Sequence, residues 1–214
     1  MEKEGIRIAD RGDKLKLVSE NLVDDFFTEK ETAEKEILAY GLTVLLSSLG
    51  SYLLIIVVSS LLGVRNLALT AAITASLIKI FSGGIHATCF RNCALTAVTV
   101  FTGFGLTANY SAPILGESLL VLFWGILLIG SLLIYFYAPA GIKEKPIKSV
   151  QKRSKFKIYS VIVFLFFLIL YYVLYLNGIS KSLILAGLLG ILWQLFGITP
   201  LAYKLFGREY LRGG

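Results

Sequence analysis

The sequence is poor in charge, in histidine and in cysteine. Only 16% of its 214 residues are charged, while 56% are hydrophobic. A soluble domain carries roughly 25% charged residues, so the shortage argues against an ordinary water-soluble domain. One histidine and two cysteines leave little for a metal. His86, Cys89 and Cys93 offer three ligands, without the spacing of a closed structural zinc site. No metal and no other cofactor is expected. Cys89 and Cys93 lie on the side expected to be cytoplasmic, so a structural disulfide is not expected. No internal repeat or low-complexity linker is evident. The first 36 residues are charged, with no apolar run close behind Met1, so no cleavable signal peptide is expected.

What the chain does contain is apolar runs near 20 residues, long enough for a hydrocarbon core of about 30 Å. Mean hydropathy is +0.76. The expectation is an all-α fold, an integral membrane bundle of six transmembrane helices with an N-terminal amphipathic interfacial helix. The spans are read as Ile37–Leu62, Leu67–Phe81, Ala94–Ala108, Ile114–Ala138, Ile158–Leu176 and Leu183–Lys204. The last has a break at Thr199-Pro200. Tyr171, Tyr172 and Tyr175 are expected near one end, where amphipathic rings favour headgroups. Residues 1–36 form the interfacial part, 37–204 the membrane domain and 205–214 a cytoplasmic tail.

In residues 14–27, Leu15, Val18, Leu22 and Phe26 recur at helical spacing, with Lys14, Lys16, Glu20 and Asp24 off that stripe. This is the pattern of an amphipathic helix at a membrane interface, or of an ordinary packing helix. A second short polar helix is expected from near Thr28 into the first span. The net charge of +7 does not point to nucleic acid, because the basic residues flank spans. Nineteen of the 21 fall on one side of a six-span arrangement; only Arg65 and Lys181 lie opposite. By the positive-inside rule the crowded side, with both termini, is cytoplasmic.

That side carries the stretch Phe81-Ser-Gly-Gly-Ile-His-Ala-Thr-Cys-Phe-Arg-Asn-Cys93, with the sole histidine and both cysteines. A thiol near an imidazole is a nucleophile beside its base. In one continuous helix His86 and Cys93 would stand about 10 Å apart, so a working pair needs a bend. Gly83 and Gly84, poor helix formers, allow one. The expectation is a turn carrying His86 and a helix from near Asn92 with Cys93 in its first turn. A thiolate there is stabilised by the helix dipole, with Lys79 and Arg91 adding positive charge. Cys89, three residues from His86, is the competing nucleophile, and spacing alone does not choose. Either cysteine taken singly fits a small packing residue.

Gly83-Gly-Ile-His-Ala87, followed by a cysteine seven residues after the histidine, resembles the AgrB family of membrane peptidases, which process AgrD precursors of quorum-sensing peptides. The similarity extends to Lys79, to Thr32-Ala-Glu-Lys-Glu-Ile-Leu-Ala-Tyr-Gly41 and to Tyr137-Ala-Pro-Ala-Gly-Ile-Lys-Glu-Lys-Pro-Ile147. The resemblance implies His86 as base and Cys93 as nucleophile, and it demotes Cys89. It implies an AgrD-like precursor peptide as partner and a bacterial cell membrane as the location; a homodimer is compatible with it. There are departures: Asn92 stands where the family often has Arg, and Ala140 and Gly141 where it often has an acid.

The implied chemistry is cleavage through a thioester on Cys93, then closure of a thiolactone by a cysteine of the peptide. Water must be kept from the thioester, which the interfacial helix could do; its face Leu15, Leu22 and Phe26 is a candidate docking surface. Glu34 and Glu36 are candidates to orient His86, or plain interfacial charge. Gln194 either lines the site or forms an interhelical hydrogen bond. The basic loop 143–157 either receives an acidic tail or sets topology. A peptide transporter is the contrasting reading, as is a non-catalytic membrane binding partner. The spans are almost free of ionisable groups, which favours chemistry at a face over transport through the middle.

Overall fold

A computed structural model describes residues 14–28, 31–85, 90–141, 149–208 and 210. Every regular element among them is a helix: α1 Lys14–Phe26, α2 Thr32–Leu61, α3 Arg65–Ser82, α4 Phe90–Leu115, α5 Ser118–Tyr137, α6 Val150–Leu176, α7 Lys181–Gly197 and α8 Pro200–Leu205. Three of them, α2, α5 and α6, are long and apolar enough to cross a membrane, and α7 is a shorter apolar helix. The chain divides into two compact units, Met1–Leu54 with Ala87–Val98, and Ile55–His86 with Thr99–Gly214.

The first unit holds α1, most of α2 and the start of α4. Lys16 and Glu20 pair across one turn of α1 at 3.9 Å. Lys35 at the start of α2 reaches back to Asp24 at 3.0 Å. The buried positions of α1 are Ser19 and Val23, while Val18, Leu22 and Phe26 face outward. The apolar stripe therefore exists on a helix, and most of it is left uncovered. The polar helix expected from near Thr28 into the first span is present from Thr32. Thr28 is a turn, and Thr32–Glu36 is the opening of the continuous α2.

α2 solves a problem that a serine-rich apolar helix must solve. Its hydroxyls cannot be left unpaired in hydrocarbon. Thr43, Ser48, Ser51 and Ser59 each donate to the carbonyl four residues earlier, at 2.6–2.8 Å. The polar groups are thereby closed within the helix, and Leu45, Leu49, Leu53 and Val57 are presented outward.

The second unit is built on the close approach of α3 and α7. Ala68, Ala71, Ala72 and Ala75 make a buried small-residue stripe on α3. Gly190 of α7 lies directly against the Ala71 carbonyl, where a methyl group would not fit. Small residues let backbones approach where burial of apolar surface gives no net drive between helices. Gly187 of α7 makes room for the ring of Tyr171, whose hydroxyl bonds Thr74 of α3 at 2.5 Å. Tyr171 is thus a core residue tying α6 to α3, not an interfacial ring as the sequence suggested. Gly130 similarly seats Phe164, bringing α5 against α6.

The helix ends differ instructively from the expected spans. α6 starts at Val150, eight residues before Ile158, with Ser149 accepting from the Lys152 amide as N-cap. Lys152, Arg153, Lys155 and Lys157 are therefore on a helix, and Lys157 sits over the Tyr135 ring at 4.4 Å. The break at Thr199-Pro200 is present. Thr199 caps α8, where proline's missing amide costs nothing. Beyond α8, Tyr210 packs on the rings of Tyr203 and Tyr137.

Candidate functional site

His86 and Cys89 lie outside the described residues. The segments on either side of them are described, and the upstream one is ordered by specific bonds.

On the upstream side, α3 ends at Ser82, and its last turn carries Lys79. The Gly83 amide closes the helix on the Lys79 carbonyl at 3.0 Å. The Lys79 ammonium then reaches past the helix end to the Ile85 carbonyl at 2.6 Å. A cation on the last turn is also favoured by the helix dipole. Gly83 and Gly84 have φ of 67° and 119°, in the region that glycine alone enters cheaply. Both are also crowded. A Cβ on Gly83 would fall on the Ala140 carbonyl, and one on Gly84 would stand 2.9 Å from the Gly197 carbonyl oxygen.

Three chain segments converge on this turn. Gly83 forms a parallel bridge with Ala140. The Ala140 amide donates to Ser82 at 2.9 Å, and the Gly84 amide donates to Ala140 at 3.3 Å. The Ile85 amide donates to the Gly197 carbonyl at the end of α7, at 3.0 Å. Gln194 of α7, 4% exposed, donates through Nε2 to the Ser82 hydroxyl at 2.8 Å and to the Gly83 carbonyl at 2.7 Å. Of the two roles open to Gln194 in the sequence, the interhelical hydrogen bond is the one seen. Gly141, next to the bridge, accepts from the Tyr203 hydroxyl of α8 at 3.0 Å. Ala140 and Gly141, which stand where an acid was a candidate, contribute only backbone groups to these bonds. The Ala138–Pro139 peptide leading into them is cis.

On the downstream side, α4 begins at Phe90, two residues earlier than expected. Cys93 is in its first turn, a partly exposed free thiol. Arg91 and Asn92 beside it are exposed, and Ala94 is buried. The first four amides of a helix have no partner in the helix and give its start a positive character. Glu34 lies in the first turn of α2. Of the basic segment 143–157, residues 143–148 are outside the described residues.

Sequence reasoning singled out Lys79, Gly83, Gly84 and Gln194, and all four take part in one bonded turn. It missed Ser82, Ala140, Gly197 and Tyr203 as partners. Nothing in their residue types announces a backbone pairing with a segment more than 50 residues away.

The profile of the accessory gene regulator B family matches residues 16–198. A Clostridium perfringens (strain SM101) protein named "Putative AgrB-like protein" is 29% identical over 192 residues, covering 86% of this chain and 89% of its own length. A second from C. perfringens strain 13 is 28% identical, with 86% and 89% covered. One from Halalkalibacterium halodurans is 26% identical, with 86% and 87% covered. No solved structure matches. With apolar helices able to span a bilayer and the family profile covering most of its length, this chain is a membrane protein of the accessory gene regulator B family, a membership that suggests a role in agr quorum sensing.

Proposed function

We propose that this protein is a membrane cysteine endopeptidase. It cleaves an AgrD-like precursor through an acyl-thioester on Cys93 and promotes closure of the peptide's thiolactone ring. The observation that carries the reading is Cys93 in the first turn of α4, seven residues after the chain's sole histidine, in a chain of the accessory gene regulator B family. His86 takes the Cys93 thiol proton as sulfur attacks a precursor carbonyl, and returns it to the leaving amine. The leaving segment departs with its new amine, and the acyl group stays on Cys93. A thiol of the peptide, losing its proton to His86, then displaces Cys93, which is reprotonated. One thioester replaces another, so this exchange is near neutral in energy.

The same reading places six spans, α2 to α7, across the membrane with both termini inside and the site at the cytoplasmic face. It is supported by the ends of the second unit. The C-terminal ends of α3, α5 and α7 meet through the Gly83, Ala140 and Gly197 bonds. Ser60, Arg65, Asn109 and Ser182 line a cavity of about 580 Å³ formed where other helix ends meet. Arg65 there and the nearby Lys181 are the two basic residues set apart by charge counting.

The outward Val18, Leu22 and Phe26 of α1, with Leu15, offer an apolar face to the precursor's own amphipathic segment. The test is co-expression with candidate precursor peptides, the products read by mass spectrometry. A cyclic product 18 Da lighter than the corresponding linear fragment supports the proposal. Intact precursor throughout, with the protein in the membrane, overturns it.

A further inference from the structure

Gln194 is a buried amide in the last turn of α7, a 17-residue helix whose other side chains are almost all hydrocarbon. Burying an amide without partners is costly, and this one has two. The Gly83 carbonyl can only accept, so the group facing it must be the NH₂ and not the amide oxygen. The second hydrogen of that NH₂ meets the Ser82 hydroxyl. Both donors are thus spent on two successive residues, at the point where α3 gives way to the turn.

From these bonds we infer that Gln194 is a positioning residue for His86, acting through the Ser82–Ile85 turn; this rests on the peptidase reading above. Every peptide unit of the turn is held from outside. Gln194 fixes the Gly83 carbonyl, Ala140 takes the Gly84 amide, Gly197 takes the Ile85 amide and Lys79 holds the Ile85 carbonyl. Because a peptide is planar, a fixed Ile85 carbonyl sets the direction in which the chain leaves Ile85 toward the histidine. Gly83 and Gly84 have backbone freedom that no side chain restrains, so without outside bonds the turn has many conformations. Two side chains select one, Lys79 at its far end and Gln194 between the two glycines. A base must be held close to its productive geometry to be effective, and a small misplacement is costly.

The sole histidine makes the test direct, because selective ¹⁵N-histidine labelling yields one imidazole spin system. Full-length protein in lipid nanodiscs is compared as wild type, Gln194→Met, Ser82→Ala and Gly197→Ala. Gln194→Met keeps the volume and removes both donors. Its His86 imidazole signals are expected to shift or split at pH 7, with the thermal unfolding midpoint within a few degrees of wild type. Ser82→Ala removes one acceptor and should move the signals less, in the same direction. Gly197→Ala, whose new methyl would be 3.8 Å from its nearest neighbours, should not move them. In a Cys89→Ala background, alkylation of Cys93 by iodoacetamide should slow at least about tenfold in His86→Ala and by a smaller factor in Gln194→Met, because the thiolate is what reacts. Imidazole signals unchanged in folded Gln194→Met overturn the assignment; if that variant does not fold, unchanged signals in Ser82→Ala overturn it. Alkylation unaffected by His86→Ala strikes instead at the peptidase reading, and the imidazole signals still decide the role of Gln194.

Discussion

Gly83 and Ala140 face one another as a lone parallel bridge between two otherwise helical segments, so close that a methyl group on Gly83 would coincide with the Ala140 carbonyl. Two demands act on one position: φ of 67° and no space for a side chain. Gly83→Ala should therefore destabilise the fold by about 2–4 kcal/mol, combining left-handed strain with overpacking. Gly197→Ala, a neighbour in the same turn with room for a methyl, should lie within about 0.5 kcal/mol of wild type or be slightly stabilising. Thermal unfolding in detergent distinguishes them. Equal effects would mean that the turn is not packed as described.

The assignment of the sulfur separates two otherwise similar cysteines. Cys93→Ala should abolish cleavage and the acyl adduct together, and Cys93→Ser should be nearly as inactive, since a hydroxyl ionises far less readily than a thiol. Cys89→Ala should retain most activity. His86→Ala should lower the cleavage rate by about 10²-fold or more. Mass spectrometry of trapped adducts reads the outcome, and an acyl group mapped to Cys89 would reverse the assignment.

The outward face of α1 makes a further prediction. Leu22 is 37% and Phe26 77% exposed, so charging them removes little packing. Replacing Leu15, Leu22 and Phe26 together by Asp should abolish precursor processing and leave membrane insertion and expression intact. Processing at wild-type rate by the triple variant would show that this face docks nothing.

Orientation can be read with an impermeant thiol reagent on whole cells, in a background with both native cysteines replaced by Ala. Glu117→Cys, in the turn between α4 and α5, should be labelled from outside. Ser149→Cys, at the N-cap of α6, should be labelled only after the cells are opened. The reverse pattern would turn the proposed site to the outer face.

The helices were legible because length and apolarity carry that signal over many residues. The Thr199-Pro200 break was legible because proline lacks the amide a continuing helix needs. The start of α6 was not: the lysines from 152 onward read as a loop, and the capping Ser149 was overlooked. Tyr171 was misplaced because a tyrosine near a span end suits the interface, and only the gap left by Gly187 together with the Thr74 hydroxyl shows why it turns inward. At the site, residue types announced Lys79, the two glycines and the buried amide. Apart from the Ser82 hydroxyl, their partners are backbone groups, which every residue possesses, so no sequence pattern distinguishes Ala140 or Gly197 from any other.

Gly83 and Gln194 are 111 residues apart along the chain, and α7 is the last long helix among the described residues. A nascent protein emerges from its N-terminus, so His86 and Cys93 are synthesised and inserted well before the amide that holds the turn exists. Until α7 has joined α3, the Gly83 and Ile85 groups lack their bonds to Gln194 and Gly197. A half-made chain would thus carry both reactive side chains with this turn still unclasped. Synthesis of α7 becomes the event that sets the turn, so a shorter nascent chain lacks the order that the proposed site needs.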